Sequence, residues 1–265
     1  MDYYIKMLRF YSIASNQEIG NTTFDYQVLQ EMENSELMKQ TAPKVGIQII
    51  PEQITETING YLLASIGENT TQGNTTPSDV DLDKIYQQWL GQIRLSDSEY
   101  RQIVESIILT GNMTEYFKEQ KAPTEARQVH LYAIKLDTKE KASEVVQRLQ
   151  EGDDFATVAK EYSIDEESKQ YGGEMGWVPR GVMLPELDEA AFSLEAGNVS
   201  QPIETSTGYY VIKVSEIDEN KTVDNEYRDI IAANEMAKWL KEQRDTNIDS
   251  YLDDAKITWA IDHSK

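Results

Sequence analysis

Three observations predict an α+β fold. The N-terminal region, residues 1–122, has helical apolar spacing, a central stretch opens and closes with strands, and the C-terminal segment is a long helix too apolar to stand alone. The expected organisation is an all-α module built from both chain ends, residues 1–122 plus 221–265, with a separate central domain over 126–217.

Residues 1–122 read as helices divided by polar breaks. Tyr3 to Leu8 already has amphipathic helical spacing. Thr22 or Thr23 is placed to cap a helix carrying Tyr26, Leu29, Met32 and Leu37. Pro51 suits a first helical turn, followed by Ile54, Ile58, Leu62 and Ile66 on one stripe. Asn69 to Pro77 is a low-complexity polar stretch with nothing to bury. A helix carrying Leu82, Ile85, Tyr86, Trp89 and Leu90 follows. Ser96 and Glu99 form a capping box for a helix carrying Tyr100, Ile103, Val104, Ile107 and Ile108. Pro123 marks a linker.

The central stretch changes period. Val129 to Leu136 reads as a strand, and Ala142, Val145, Val146 and Leu149 as a helical stripe that Gly152 ends. Phe155, Val158, Ala159 and Tyr162 repeat those offsets in a shorter helix. A glycine-rich loop, a brief helical turn over Leu187 to Phe192 and a last strand over Tyr209 to Val214 complete it. From Thr222 to Leu252 a helix carries Tyr227, Ile230, Ile231, Ala237, Leu240, Ile248 and Tyr251, and the N-terminal helices are its expected partner.

Composition excludes several functions. The 265 residues carry a net charge of −22 with acids in excess throughout, so no basic face exists for nucleic acid or anionic lipid. Cysteine is absent and the only histidines are His130 and His263, which removes thiolate chemistry and His- or Cys-ligated metal sites. No cofactor or metal is expected. Gly172 and Gly173 precede no Gly-Lys-Ser/Thr, so they form no phosphate loop. No apolar run is long enough to span a membrane. Because the chain opens within a helical pattern, an export or anchor segment is expected upstream of it.

Several separated motifs agree in order: Arg127 to Leu131 around His130; Ser163-Ile164-Asp165; Gly172-Gly173-Glu174-Met175-Gly176-Trp177; Gly181-Val182-Met183-Leu184-Pro185; Phe192; and Thr205 with Gly208-Tyr209-Tyr210. Together they resemble the signature of parvulin-type (rotamase) peptidyl-prolyl isomerases over roughly 90 residues. The whole arrangement is similar to extracytoplasmic foldases of the PrsA and SurA type. The resemblance implies a central parvulin domain with a small antiparallel sheet, and a chaperone-like helical module around it. It implies clients that are unfolded or nascent polypeptides containing X-Pro bonds, and it allows a homodimer. It also implies an extracytoplasmic location with membrane attachment only through an anchor outside this sequence.

Such a site needs no nucleophile. An X-Pro bond prefers trans by only about 0.5–1 kcal/mol, yet rotation costs ~18–20 kcal/mol because amide resonance is lost. An apolar pocket that grips the ring and excludes water favours the twisted state. By the resemblance, Met183, Leu187 and Phe192 hold the ring, and Ser163, Thr205 and Trp177 line the substrate site. His130 orients the site, Asp165 stands near the client carbonyl, and Tyr210 replaces a second histidine. Leu187 stands where the family has phenylalanine, and Thr207 replaces an aromatic. These departures leave open a weakly active or inactive domain that serves as a peptide-binding holdase. Asp165 has an alternative role as the cap of the loop after Tyr162.

Overall fold

The computed structural model describes residues 2–15, 17–19, 22–67 and 81–247. The Asn69–Pro77 stretch, Ile248, Tyr251, Leu252 and His263 lie outside these residues, as do the side chains of Thr22, Thr23 and Ile66. Two compact units result: residues 1–115 with 237–265, and residues 116–236.

The helical unit contains α1 (Asp2–Ser15), α2 (Thr22–Thr41), a 3₁₀ turn (Ala42–Val45), α3 (Pro51–Gly67), α4 (Leu82–Ile93) and most of α5 (Asp97–Lys121). Its core joins Tyr4, Met7, Leu8, Phe24, Val28, Ile58, Leu62, Leu90, Ile93, Tyr100 and Val104. Ile58 and Leu62 are the buried part of the α3 stripe, so 3.6-residue spacing located the face that packs. The capping box forms reciprocally: Ser96 N–H donates to Glu99 Oε2 at 2.9 Å, and Glu99 N–H donates to Ser96 Oγ at 3.3 Å. Glu99 also meets Lys6 Nζ at 2.5 Å, and bonds from Lys6 and Ser96 hold its carboxyl down at about 2. The later turns of α10 (Asn225–Asn247) belong here, with Leu240 buried and Arg244 donating to Asn34.

The central unit is one antiparallel sheet in the order β2-β1-β4-β3, formed by β1 (Glu125–Leu136), β2 (Glu174–Pro179), β3 (Ile203–Thr205) and β4 (Gly208–Thr222). α6 (Lys139–Gln150), α7 (Phe155–Tyr162), α8 (Glu166–Gln170) and α9 (Pro185–Ser193) complete it. The presumed glycine-rich loop contributes β2. Gly172 and Gly173 turn at φ 70° and 83°, and a Cβ on Gly173 would stand 2.6 Å from the Ala133 carbonyl oxygen. That close approach lets Ala133 N–H donate to Gly173 O at 2.8 Å and seats β2 on β1.

The unit boundary departs from the expected 122 and 221. Val223, Tyr227 and Ile231 lie four residues apart and pack on Ala122, Ala126 and Val182. Lys118 pairs with Asp229 at 2.6 Å, and Asn234 Nδ2 donates to Gly181 O at 2.9 Å. The first turns of α10 therefore belong to the central unit.

Candidate active site

The sheet has two different faces. Val129, Leu131 and Ala133 of β1 join Leu187, Ala191, Phe192, Ile212 and Val214, with Met183 and Tyr210 packed against them. Ile134 and Leu136 point the other way, toward α6 and α7, with Tyr132 on the same side. Alternation along a strand sets this division.

Met183, Leu187, Phe192 and Tyr210 thus come together on the α9 face. Phe192 is only 4% exposed, and the Arg180 guanidinium lies over its ring at 4.4 Å, held by Asp188 at 3.3 Å. Arg127 stands 6.0 Å from the same ring and pairs with Glu219 at 3.2 Å.

His130 is elsewhere. Its ring lies 5.4 Å from Tyr132 and 5.3 Å from Trp177, on the α7 side of the sheet. Val129 and Leu131 are buried at 0% and 2%, so turning His130 toward α9 would slip the register and expose both. Nδ1 meets Ser215 Oγ at 3.0 Å, and Nε2 faces Glu174 Oε1 at 3.3 Å. Ser215 is the extra residue of a bulge, since His130 pairs with Glu216 and Leu131 with Val214. Its hydroxyl also donates to His130 O at 3.2 Å. Both ring nitrogens are occupied by the scaffold. The expected pairing with Tyr210 does not form: the Tyr210 hydroxyl meets Thr207 Oγ1 at 3.2 Å. Trp177, expected beside the client, is sandwiched between His130 and the Lys221 ammonium, 4.6 Å from its ring.

Ser163, Asp165 and Thr205 serve local structure. Ser163 Oγ, buried, accepts from Lys135 N at 3.2 Å and Asp165 N at 3.3 Å, and Ile164 N donates to Lys135 O at 2.9 Å. Asp165 is the N-cap of α8, accepting from Ser168 Oγ at 2.7 Å and Glu167 N at 3.4 Å. The capping alternative therefore describes what its carboxylate does. Thr205 Oγ1 donates to Gly208 O at 2.8 Å, closing the β3–β4 turn beside Tyr210.

One residue of the α9 face was not anticipated. Lys135 is paired in register with Tyr210, and its Nζ lies 5.8 Å from that ring. Counting by twos from Leu131 would have found it. Among the described residues no cluster of metal-ligating side chains occurs, and no helix is long and apolar enough to cross a membrane.

Comparison with known proteins identifies the family. The PPIC-type PPIase (rotamase) domain family matches residues 122–216. A foldase protein PrsA of Oceanobacillus iheyensis is 30% identical over 231 residues, covering 82% of this chain and 72% of that one. The chain belongs to the PrsA family of extracytoplasmic foldases. PrsA of Caldanaerobacter subterraneus subsp. tengcongensis is 29% identical over 235 residues, spanning 80% of this chain and 70% of its own. The crystal structure of PrsA from Bacillus anthracis aligns with TM-score 0.52 at 19% identity, covering 89% of this chain and 94% of that one, a likeness of fold. As a PrsA-family foldase, the chain is a peptidyl-prolyl cis–trans isomerase and folding chaperone for exported proteins, and it binds client polypeptides.

Proposed function

We propose that isomerisation takes place on the α9 face of the sheet, with Met183, Leu187, Phe192 and Tyr210 receiving the client proline. The observation that carries this reading is the convergence of those four side chains on one face, while His130 is bonded into the other. The apolar floor grips the ring and keeps water from the planar, charge-separated imide, so the twisted state gains relative to the ground state. His130 braces β1 against β2 and β4, and Asp165 acts at one remove by holding the Ser163–Asp165 segment against β1. Clients are X-Pro-containing unfolded chains, a membrane anchor lies outside this sequence, and the foldase works as a monomer or homodimer on the outer side of the membrane.

The test is an X-Pro peptide exchange assay on the full chain. Acceleration that falls with Phe192→Ala or Met183→Ala and survives His130→Ala supports the reading. A wild-type chain that leaves the exchange rate unchanged defeats it.

A second reading has two specific observations in its favour: among the described residues the α9 face offers no imidazole, and Arg180 already covers Phe192. The domain would then hold peptides with slow turnover. Aggregation of a model client would be suppressed by a chain that shows no exchange acceleration, whereas loss of suppression together with acceleration in Phe192→Ala would unite the two activities.

A further inference from the structure

We infer that Lys135 is a specificity-determining residue of the isomerase face, selecting clients that carry an acidic side chain beside the proline. The inference rests on the placement of the site on the α9 face and adds a substrate class to it.

Four observations lead there. Lys135 shares its face of β1 with Leu131 and Ala133 and reaches over the Tyr210 ring, at the edge of the cluster formed by Leu187, Phe192 and Met183. Its backbone is fixed from both sides, by Tyr210 in the β4 register and by Ser163 and Ile164. The side chain therefore projects from a rigid base rather than from a loop.

The charge is also unmatched. The two other cations of this face are neutralised in place, Arg180 by Asp188 and Arg127 by Glu219. Among the described residues no carboxylate lies within ion-pairing distance of the Lys135 ammonium. The nearest acid in sequence, Asp137, pairs with Lys141 at 3.0 Å, and Asp165, in the segment clamped to Lys135, gives its carboxylate to Ser168 and Glu167. In a chain of 47 acids and 25 bases, this cation stands on the face that carries the apolar cluster. The Tyr210 face beneath it supplies a cation–π contact, which holds the ammonium while leaving its three N–H donors for an incoming carboxylate.

The chemistry sets the direction. A client proline on the apolar floor places its flanking residues at the rim, within reach of a lysine stem. A glutamate or aspartate there gains an ion pair next to a low-dielectric surface, and a lysine or arginine is repelled. A partly exposed pair of this kind gives about a fivefold to tenfold preference in kcat/KM at low salt. The preference shrinks toward unity near 1 M salt, where the Debye length is ~3 Å.

The experiment uses the full chain and proline peptides with Glu, Ala or Lys immediately before or after the proline. It reads exchange acceleration, and separately peptide affinity by fluorescence anisotropy. The wild type should rank Glu over Ala over Lys in at least one flanking position. Lys135→Met should flatten that ranking, Lys135→Glu should invert it, and Lys135→Arg should keep it. Each result is a ratio between peptides on one variant, so a general loss of activity leaves it readable. A flat wild-type ranking, or a Glu preference unchanged in both Lys135→Met and Lys135→Glu, overturns the inference while the isomerase site stands. Charge-ranked binding without acceleration of any peptide overturns the site's catalytic reading and upholds the role of Lys135.

Discussion

The two faces of the central sheet are built from alternate residues of the same strand, yet they do different work. The α9 face gathers apolar side chains under a thin cover of three cations. The α7 face has the one described imidazole, locked between Tyr132 and Trp177 and bonded at both nitrogens. A residue's membership in a motif therefore does not decide which side of a sheet it serves. Position modulo two decides it, because the buried neighbours Val129 and Leu131 fix the register.

The largest effect that would sharpen the contrast is Phe192→Ala. Truncating a ring that is 4% exposed should cost about 3–5 kcal/mol in denaturant unfolding and remove exchange acceleration. Next comes Gly173→Ala, where positive φ and a 2.6 Å approach to the Ala133 carbonyl should lower stability by about 2 kcal/mol or more and loosen β2. His130→Ala is the change best able to break the comparison. It should cost about 1–2 kcal/mol in stability through lost hydrogen bonds and ring packing. Its effect on kcat/KM should stay below about tenfold, well short of the ~10²–10⁴ that a positioned acid–base group supplies. A thousandfold loss in a folded His130→Ala protein would return the imidazole to the reaction. Smallest is Asp165→Ala, which removes the α8 cap for about 1 kcal/mol, measured by thermal unfolding.

Much of this molecule was legible beforehand. The buried Ile58 and Leu62 of α3 and Tyr100, Ile103 and Val104 of α5, the capping box at Ser96 and Glu99, and the strand ending at Leu136 follow from local spacing, whereas Ile107 of the expected α5 stripe is exposed. Met183, Leu187 and Phe192, grouped by a resemblance, do pack in one cluster. β2 was missed because its six residues include a glycine and follow a tight turn, so the segment has no clean alternation and gains its strand only by pairing with β1. The contacts of Trp177 and Tyr210 differ from those expected for a different reason. Their partners, Lys221 and Thr207, are set by bulges and turns that no motif spacing encodes. The early turns of α10 were assigned to the helical unit by continuity of the helix, whereas Val223, Tyr227 and Ile231 answer to Val182 and Ala122.

The division at residues 115/116 and 236/237 orders events during synthesis. A chain emerging from its N-terminus presents the residues from Tyr4 to Ile108 that form the core cluster of the helical unit before the central unit is made. Leu240 and the Arg244–Asn34 bond join the helical unit last, across the long sequence separations that slow closure. A foldase built this way closes its first-made unit with its last-made turns.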